Sequence, residues 1–260
     1  VLDLRRSELA QMQAYVDHPD CLMKFLLEAL DDPNPVSCGR CANCQGKGFS
    51  ASLPHELVIE AENYLKGTQV LIQPRKQWPV GLFPDQKRNI PLELQNAPGR
   101  SLCYYGDAGW GKIVQTGKYR EGHFPDELVY AASHLILDLW KPEPFPAWVT
   151  SIPSTRHPNL VSDFSTRLAQ SLGIPFHPVF QRTSEAPEQK TMQNSTMQAR
   201  NVVGTISIDP QLPSGAVLLV DDIIDSGWTL TMAGYLLKVN GSGPVYPFTL
   251  AQATGRNTNG

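Results

Sequence analysis

Two groups of residues in this 260-residue sequence have the types and spacing to do chemistry. The first is Val217-Leu218-Leu219-Val220-Asp221-Asp222-Ile223-Ile224-Asp225-Ser226-Gly227-Trp228-Thr229. Its four leading apolar residues predict a strand buried on both faces, because a strand covered on both sides loses polar alternation. Asp221 and Asp222 then fall at the strand's carboxyl end, where open α/β sheets bind ligands. The loop 225–229 is short, contains Gly227 and leads into a helical pattern, with Met232, Leu236 and Val239 on one face. Such a loop aims backbone N–H groups at an anion, and the helix dipole favours negative charge there. The segment therefore offers an anion cradle beside a diacid. Phosphate suits the cradle; vicinal hydroxyls, or a magnesium ion through water, suit the carboxylates. The alternative is an ordinary strand and turn with solvated carboxylates.

The second group is Cys21, Cys38, Cys41 and Cys44, spaced C-x16-C-x2-C-x2-C, with only Cys103 elsewhere. Thiolates bind zinc in a closed tetrahedron, and C-x2-C turns let two sulfurs converge on one ion. Gly39 suits the tight turn. The spacing predicts a structural zinc site without an open catalytic position. Disulfides are the alternative, disfavoured by the compact C-x2-C pairs and by the lack of a secretory segment.

Helical periods flank the cysteines, at 10–16 and 19–27, with Pro19 suited to the first turn of the second helix. A short helix is expected over 56–66. Residues 68–116 read as strands and loops. Leu128, Val129, Ala132, Leu135, Ile136 and Leu139 share a helical face, on which His134 reads as a surface or packed residue. A stiff proline-rich connection at 141–146 leads to a strand at 148–153. Leu160, Phe164, Leu168 and Leu172 give a helix that Gly173 ends. Strand, helix and strand, with the diacid on a later strand, predict a doubly wound, mostly parallel α/β sheet.

These residues carry two family resemblances. The segment 217–229 resembles the phosphoribosyl-pyrophosphate (PRPP) motif of type I phosphoribosyltransferases. The resemblance implies that Asp221 and Asp222 hold the ribose hydroxyls and that Asp225, Ser226, Gly227, Trp228 and Thr229 hold the 5′-phosphate. Trp228 departs from the pattern as a bulky residue expected to narrow the pocket. Ser151-Ile152-Pro153-Ser154-Thr155-Arg156 is similar to the first strand and pyrophosphate loop of the ComF-type branch. That likeness assigns Ser154, Thr155 and Arg156 to pyrophosphate, with magnesium accompanying PRPP. Residues 182–201, with Gln189, Lys190, Gln198, Arg200 and Asn201, resemble the family's mobile stretch. No base-recognising hood is evident. At the other end, residues 5–46 resemble the zinc-binding subdomain that follows the motor of RecQ-family DNA helicases.

Hydrophobic content of 41% is enough for packed cores, and a net charge of −3 makes no global case for nucleic acid. Between Lys66 and Arg120, nine basic residues face three acidic ones, interleaved with Trp78, Phe83, Tyr104, Tyr105, Trp110 and Tyr119. Basic groups neutralise phosphates and aromatics stack on bases, so this stretch is a candidate for DNA contact; a small β-rich domain with solvated lysines is the plain alternative. No apolar run approaches the ~20 residues that span a bilayer. Cysteine usage suits a reducing cytoplasm. Gly106-Asp107-Ala108-Gly109-Trp110-Gly111-Lys112 matches the start of a P-loop, but Ile113 stands where Ser or Thr would ligate magnesium. Residues 113–117 look like a strand and turn, so the segment is read as a hairpin loop and not as a nucleotide site.

The expected organisation is a helical zinc-binding subdomain at 1–50, a basic β-rich module at 51–124 and a phosphoribosyltransferase-like domain at 125–260. Three functions remain open. The chain starts at Val1 in mid-pattern, which suits the C-terminal part of a RecQ-like ATP-dependent DNA helicase acting in repair or recombination, its ATP-binding motor lying upstream. The others are a standalone phosphoribosyltransferase and a non-catalytic PRPP or nucleotide sensor.

Overall fold

The computed structural model describes residues 2–46, 48, 52–83, 88–154, 156–182 and 205–253. The chain divides into two compact units, Val1–Val58 and Ile59–Gly260. Thr155 and most of the 182–201 stretch, including Gln189, Lys190, Gln198, Arg200 and Asn201, lie outside the described residues.

The first unit holds α1 (Leu2–Val16), α2 (Leu22–Ala29) and the short α3 (Ala42–Gln45). Cys21 is the N-cap of α2, so Pro19 precedes the helix and does not form its first turn. Cys21 is also the one buried residue among those described in this unit. An apolar core is therefore not what orders it.

The chain passes into the second unit within α4 (His55–Gly67). β1 (Val70–Ile72), β2 (Gly99–Tyr104), β3 (Trp148–Ser151), β6 (Val217–Ile224) and β7 (Val245–Gln252) form one sheet in the order β1-β2-β7-β6-β3. Only the β1–β2 pairing is antiparallel; β2–β7, β7–β6 and β6–β3 are parallel. A separate two-stranded ribbon pairs β4 (Phe180–Arg182) with β5 (Ile206–Ile208).

Helices cover both faces. On one side lie α5 (Gly111–Thr116), α6 (Asp126–His134) and α7 (Leu160–Leu172), and Leu218 and Val220 point into their cluster with Phe124, Leu128, Phe164 and Leu168. On the other lies α8 (Trp228–Val239), where Val217 and Leu219 meet Leu230, Met232 and Leu237. Alternate residues of one strand feed two cores, which is why its sequence is apolar throughout. The expected α/β fold with a mainly parallel, doubly covered sheet is what forms. In α8 the buried side is Trp228, Leu230, Met232, Ala233 and Leu237, whereas Val239 is 48% exposed.

The stretch 51–124 differs from the β-rich module expected of it. β1 and β2 are strands of the main sheet, and residues 111–121 are helical, α5 running on through a wider turn at Gly117–Glu121. Ile113, Val114 and Thr116 are β-branched and suggest a strand. Tertiary packing overrides that preference, because Val114 is fully buried against Phe124 and Leu128. Gly111 permits the tight entry: a Cβ there would lie 2.3 Å from the Tyr104 carbonyl oxygen.

Candidate functional site

Parallel pairing sets the carboxyl ends of β2, β7, β6 and β3 along one edge. Ser151 pairs with Val220, and the Ile152 amide donates to the Val220 carbonyl at 2.9 Å. The first residues of the 151–156 segment thus lie beside β6, next to the part of it that carries Asp221 and Asp222. Ser154 is partly buried, and its Oγ accepts from the His157 amide at 3.2 Å. Arg156 is exposed.

Asp222 is buried, and its Oδ2 lies 2.7 Å from the Lys118 ammonium. Asp221 accepts from the Asp222 amide at 2.9 Å. Burial first, and then the neighbouring Asp222 carboxylate, push the Asp221 carboxyl well above its usual range; Lys118 and Arg182 pull it partly back. Arg182 is anchored by its Nε, which donates to the Pro153 carbonyl at 2.8 Å. A cation thus stands near each carboxylate.

The loop after β6 turns through Gly227, whose φ of +78° is the left-handed region that suits glycine, and it caps α8 without a side-chain hydrogen bond. Asp225 is exposed, and Ser226 and Thr229 are partly buried. Trp228 does not narrow this loop in the way its bulk suggests. It is 3% exposed and packs into the α8-side core, with the Arg75 guanidinium 4.1 Å above its ring. The Arg75 Nε also donates to the Ser226 carbonyl at 3.2 Å. A small depression opens here, lined by Arg75, Asn96, Ser226, Gly227, Leu230 and Thr231 among others; the acid pair does not line it.

Sequence reasoning misses Arg75, Lys118 and Arg182 as parts of this site. The first two count there only as members of a basic stretch. With Arg75 on the loop, Lys118 on Asp222, Lys66 over Trp110 and Arg100 bonded to Gln69, several of those cations serve the fold itself. Lys76, Arg88, Lys112 and Arg120 remain exposed.

The P-loop-like segment leads into a helix and not a hairpin strand, yet its amides are already taken. Asp107 Oδ1 accepts from Gly109 at 3.0 Å and Gly111 at 2.8 Å, and Oδ2 accepts from Tyr104 at 3.0 Å. The loop's own carboxylate occupies the position an anion would need. His134 Nδ1 lies 2.7 Å from Asp138 Oδ2 in a hydrogen bond on the exposed side of the helix, as befits a surface residue.

In the first unit the Sγ atoms of Cys21, Cys38, Cys41 and Cys44 all lie within 4.8 Å of one another. A zinc–sulfur bond of about 2.3 Å in a tetrahedron sets sulfurs about 3.8 Å apart, so the cluster fits the ion. Backbone amides point at the sulfurs: Cys38 and Lys24 at Cys21, Cys41 at Cys38, and Cys44 at Cys41. The Cys44 amide is the main reason the Cys41 thiol is held down to about 6, which favours the thiolate. Gly39, at φ +66°, makes the turn, and Asn43 clamps the His18 and Asp20 carbonyls at 2.6 and 2.8 Å.

Comparisons with known proteins bear on the first unit by family and return solved structures for the rest. Residues 3–45 match the RecQ zinc-binding family. With the cysteine geometry, this makes the first unit a zinc-binding unit of RecQ type. A search of curated proteins returned no match. Among solved structures, an adenine phosphoribosyltransferase from Saccharomyces cerevisiae is 16% identical, with a TM-score of 0.32, covering 76% of this chain and 89% of that one. One from Thermoanaerobacter pseudethanolicus is 11% identical, with a TM-score of 0.35, covering 75% and 99%. One from Leishmania donovani is 14% identical, with a TM-score of 0.34, covering 76% and 86%. Scores this low decide nothing about activity, and the fold class rests on the sheet itself. No helix among the described residues is long and apolar enough to cross a membrane.

Proposed function

We propose that the second unit binds PRPP, or a nucleotide bearing the same ribose phosphate, within a RecQ-like DNA helicase of which this chain is the C-terminal part. One observation carries the ligand reading. The acid pair lies on β6 just past the Ser151–Val220 pairing with β3, and the loop that follows β6 turns through Gly227 at the N-terminus of α8. Asp221 and Asp222 take the ribose hydroxyls as hydrogen-bond partners. Loop 225–229 takes the 5′-phosphate on backbone N–H groups and the dipole of α8. Ser154, Thr155 and Arg156 take the pyrophosphate, Arg156 by forked charge-assisted bonds. If an acceptor base is also bound, positioning of the ribose and stabilisation of the departing pyrophosphate supply phosphoribosyl transfer.

The expected magnesium does not fit the acid pair, because Lys118 already neutralises Asp222. The RecQ zinc-binding match supports the helicase assignment and a DNA partner. Among the described residues of the 66–120 stretch, Lys76, Arg88, Lys112 and Arg120 are exposed cations available to phosphates.

Calorimetric titration of the zinc-loaded chain with PRPP tests the ligand reading, beside an Asp221→Asn/Asp222→Asn variant. Saturable binding that the variant loses at least tenfold is expected. Equal binding by both proteins, or none by either, would refute it. Fluorescence anisotropy with single- and double-stranded DNA tests the partner, and salt-sensitive binding is expected.

A further inference from the structure

We propose that Lys118 is the resident cation of the acid pair and keeps divalent metal ions out of it. The inference deepens the reading of Asp221 and Asp222 as a ribose-binding pair and rests on it for the ligand. The placement of the two carboxylates stands independently.

The Lys118 ammonium lies 2.7 Å from Asp222 Oδ2, and the two side chains are only 18% and 10% exposed. A pair this covered differs from a solvated surface pair, whose partners part freely. Removing either member leaves a largely covered charge without its closest partner. The backbone that carries Lys118 is also fixed. A Cβ on Gly117 would lie 2.7 Å from the His123 carbonyl oxygen, and the His123 amide donates back to the Gly117 carbonyl at 3.2 Å. Val114 before it and Phe124 after it are fully buried. Lys118 is thus delivered to Asp222 by packed structure and not by a loose surface loop.

The surroundings leave little for a divalent ion to gain. Arg182 supplies a second positive charge close enough to act on Asp221. Among the described residues, the one cluster of three or more metal-ligating side chains is that of the four cysteines, so no third acid converges on this pair. A divalent ion would have to displace the ammonium or sit beside it against like-charge repulsion. Lys118 instead holds the Asp222 carboxylate in place as an acceptor for vicinal hydroxyls. An ammonium carries three donors, and those not on Asp222 are available to an anionic oxygen of the ligand. As a secondary support, the raised Asp221 carboxyl keeps its proton longer and donates to a hydroxyl in that form. Lys118 is on this account a positioning residue: it acts through Asp222.

The test uses manganese(II) alone on the intact zinc-loaded chain, with free ion read by electron paramagnetic resonance. The wild-type chain should show no manganese binding that depends on Asp222, judged against Asp222→Asn. Lys118→Met should gain a site at least tenfold tighter, lost again in Lys118→Met/Asp222→Asn. Asp222-dependent manganese binding by the wild-type chain would overturn the proposal, and that measurement needs no folded lysine variant. A second arm titrates ribose 5-phosphate in magnesium-free and magnesium-containing buffer. Wild-type affinities within threefold of each other support the proposal, and a tenfold requirement for magnesium overturns it. Failure of ribose 5-phosphate to bind, with the manganese results as expected, would sink the ligand reading and leave the assignment of Lys118 supported.

Discussion

The two units of this chain are held by different physics. Residues 59–253 bury apolar side chains on both faces of a sheet, and Val217, Leu218, Leu219 and Val220 are all fully covered. Among the described residues of 2–58, only Cys21 is buried, while Leu9, Met12, Val16 and Leu30 are each more than 60% exposed. Burial of apolar surface usually contributes most to folding, and it is nearly absent from the first unit. Four thiolates on one ion replace it. The first unit therefore depends on chemistry that can be removed, and the second does not.

Removing the metal is the largest way to break the comparison. Structural zinc in small domains is worth roughly 10–16 kcal/mol of apparent folding free energy. Cys41→Ser is expected to unfold residues 2–58 and leave the second unit intact, with limited proteolysis trimming the chain near residue 58. The converse is Leu219→Ala, which should cost the second unit about 2–5 kcal/mol in urea melts while zinc stoichiometry stays unchanged. Loss of both units in either variant would contradict the division.

A smaller effect is expected at the P-loop-like turn. Asp107→Ala strips the partner from the Tyr104, Gly109 and Gly111 amides. Urea denaturation should show a loss of about 1–3 kcal/mol in the second unit and none in the first.

The last concerns pH, where the sign is the prediction. The Asp221 carboxyl is raised from its ordinary value of 3.8 to about 8. The fold favours its protonated form, so this contribution to stability is fully present below the ordinary value. It is lost progressively as pH rises through the raised one. Asp221→Asn removes the dependence. Its melting temperature should match the wild type near pH 4 and exceed it at pH 8. A wild-type advantage at pH 8 would mean that Asp221 is ionised and stabilising.

Legibility in the sequence follows the range of the interactions. β6, β3 and α7 are readable because apolar runs and helical periods are local. The cysteine cluster is readable because three of its ligands sit within seven residues, from Cys38 to Cys44. Arg75 and Lys118 are not. Each meets its partner across a long stretch of chain, Arg75 donating to Ser226 from 151 residues away. A basic residue in a mixed stretch carries no mark of such a contact. α5 reads wrongly as a strand because β-branched Ile113, Val114 and Thr116 favour strands until Val114 is packed against the core. Trp228 reads wrongly as an obstruction because its type is visible in the sequence and its direction is not.

Hydrogen–deuterium exchange of the zinc-loaded chain with and without PRPP tests the central claim most directly. The expected result is slowed exchange in peptides covering 150–154 and 221–231, with residues 2–58 unchanged. Unchanged exchange at 221–231 under saturating PRPP, or protection confined to 2–58, would contradict the account.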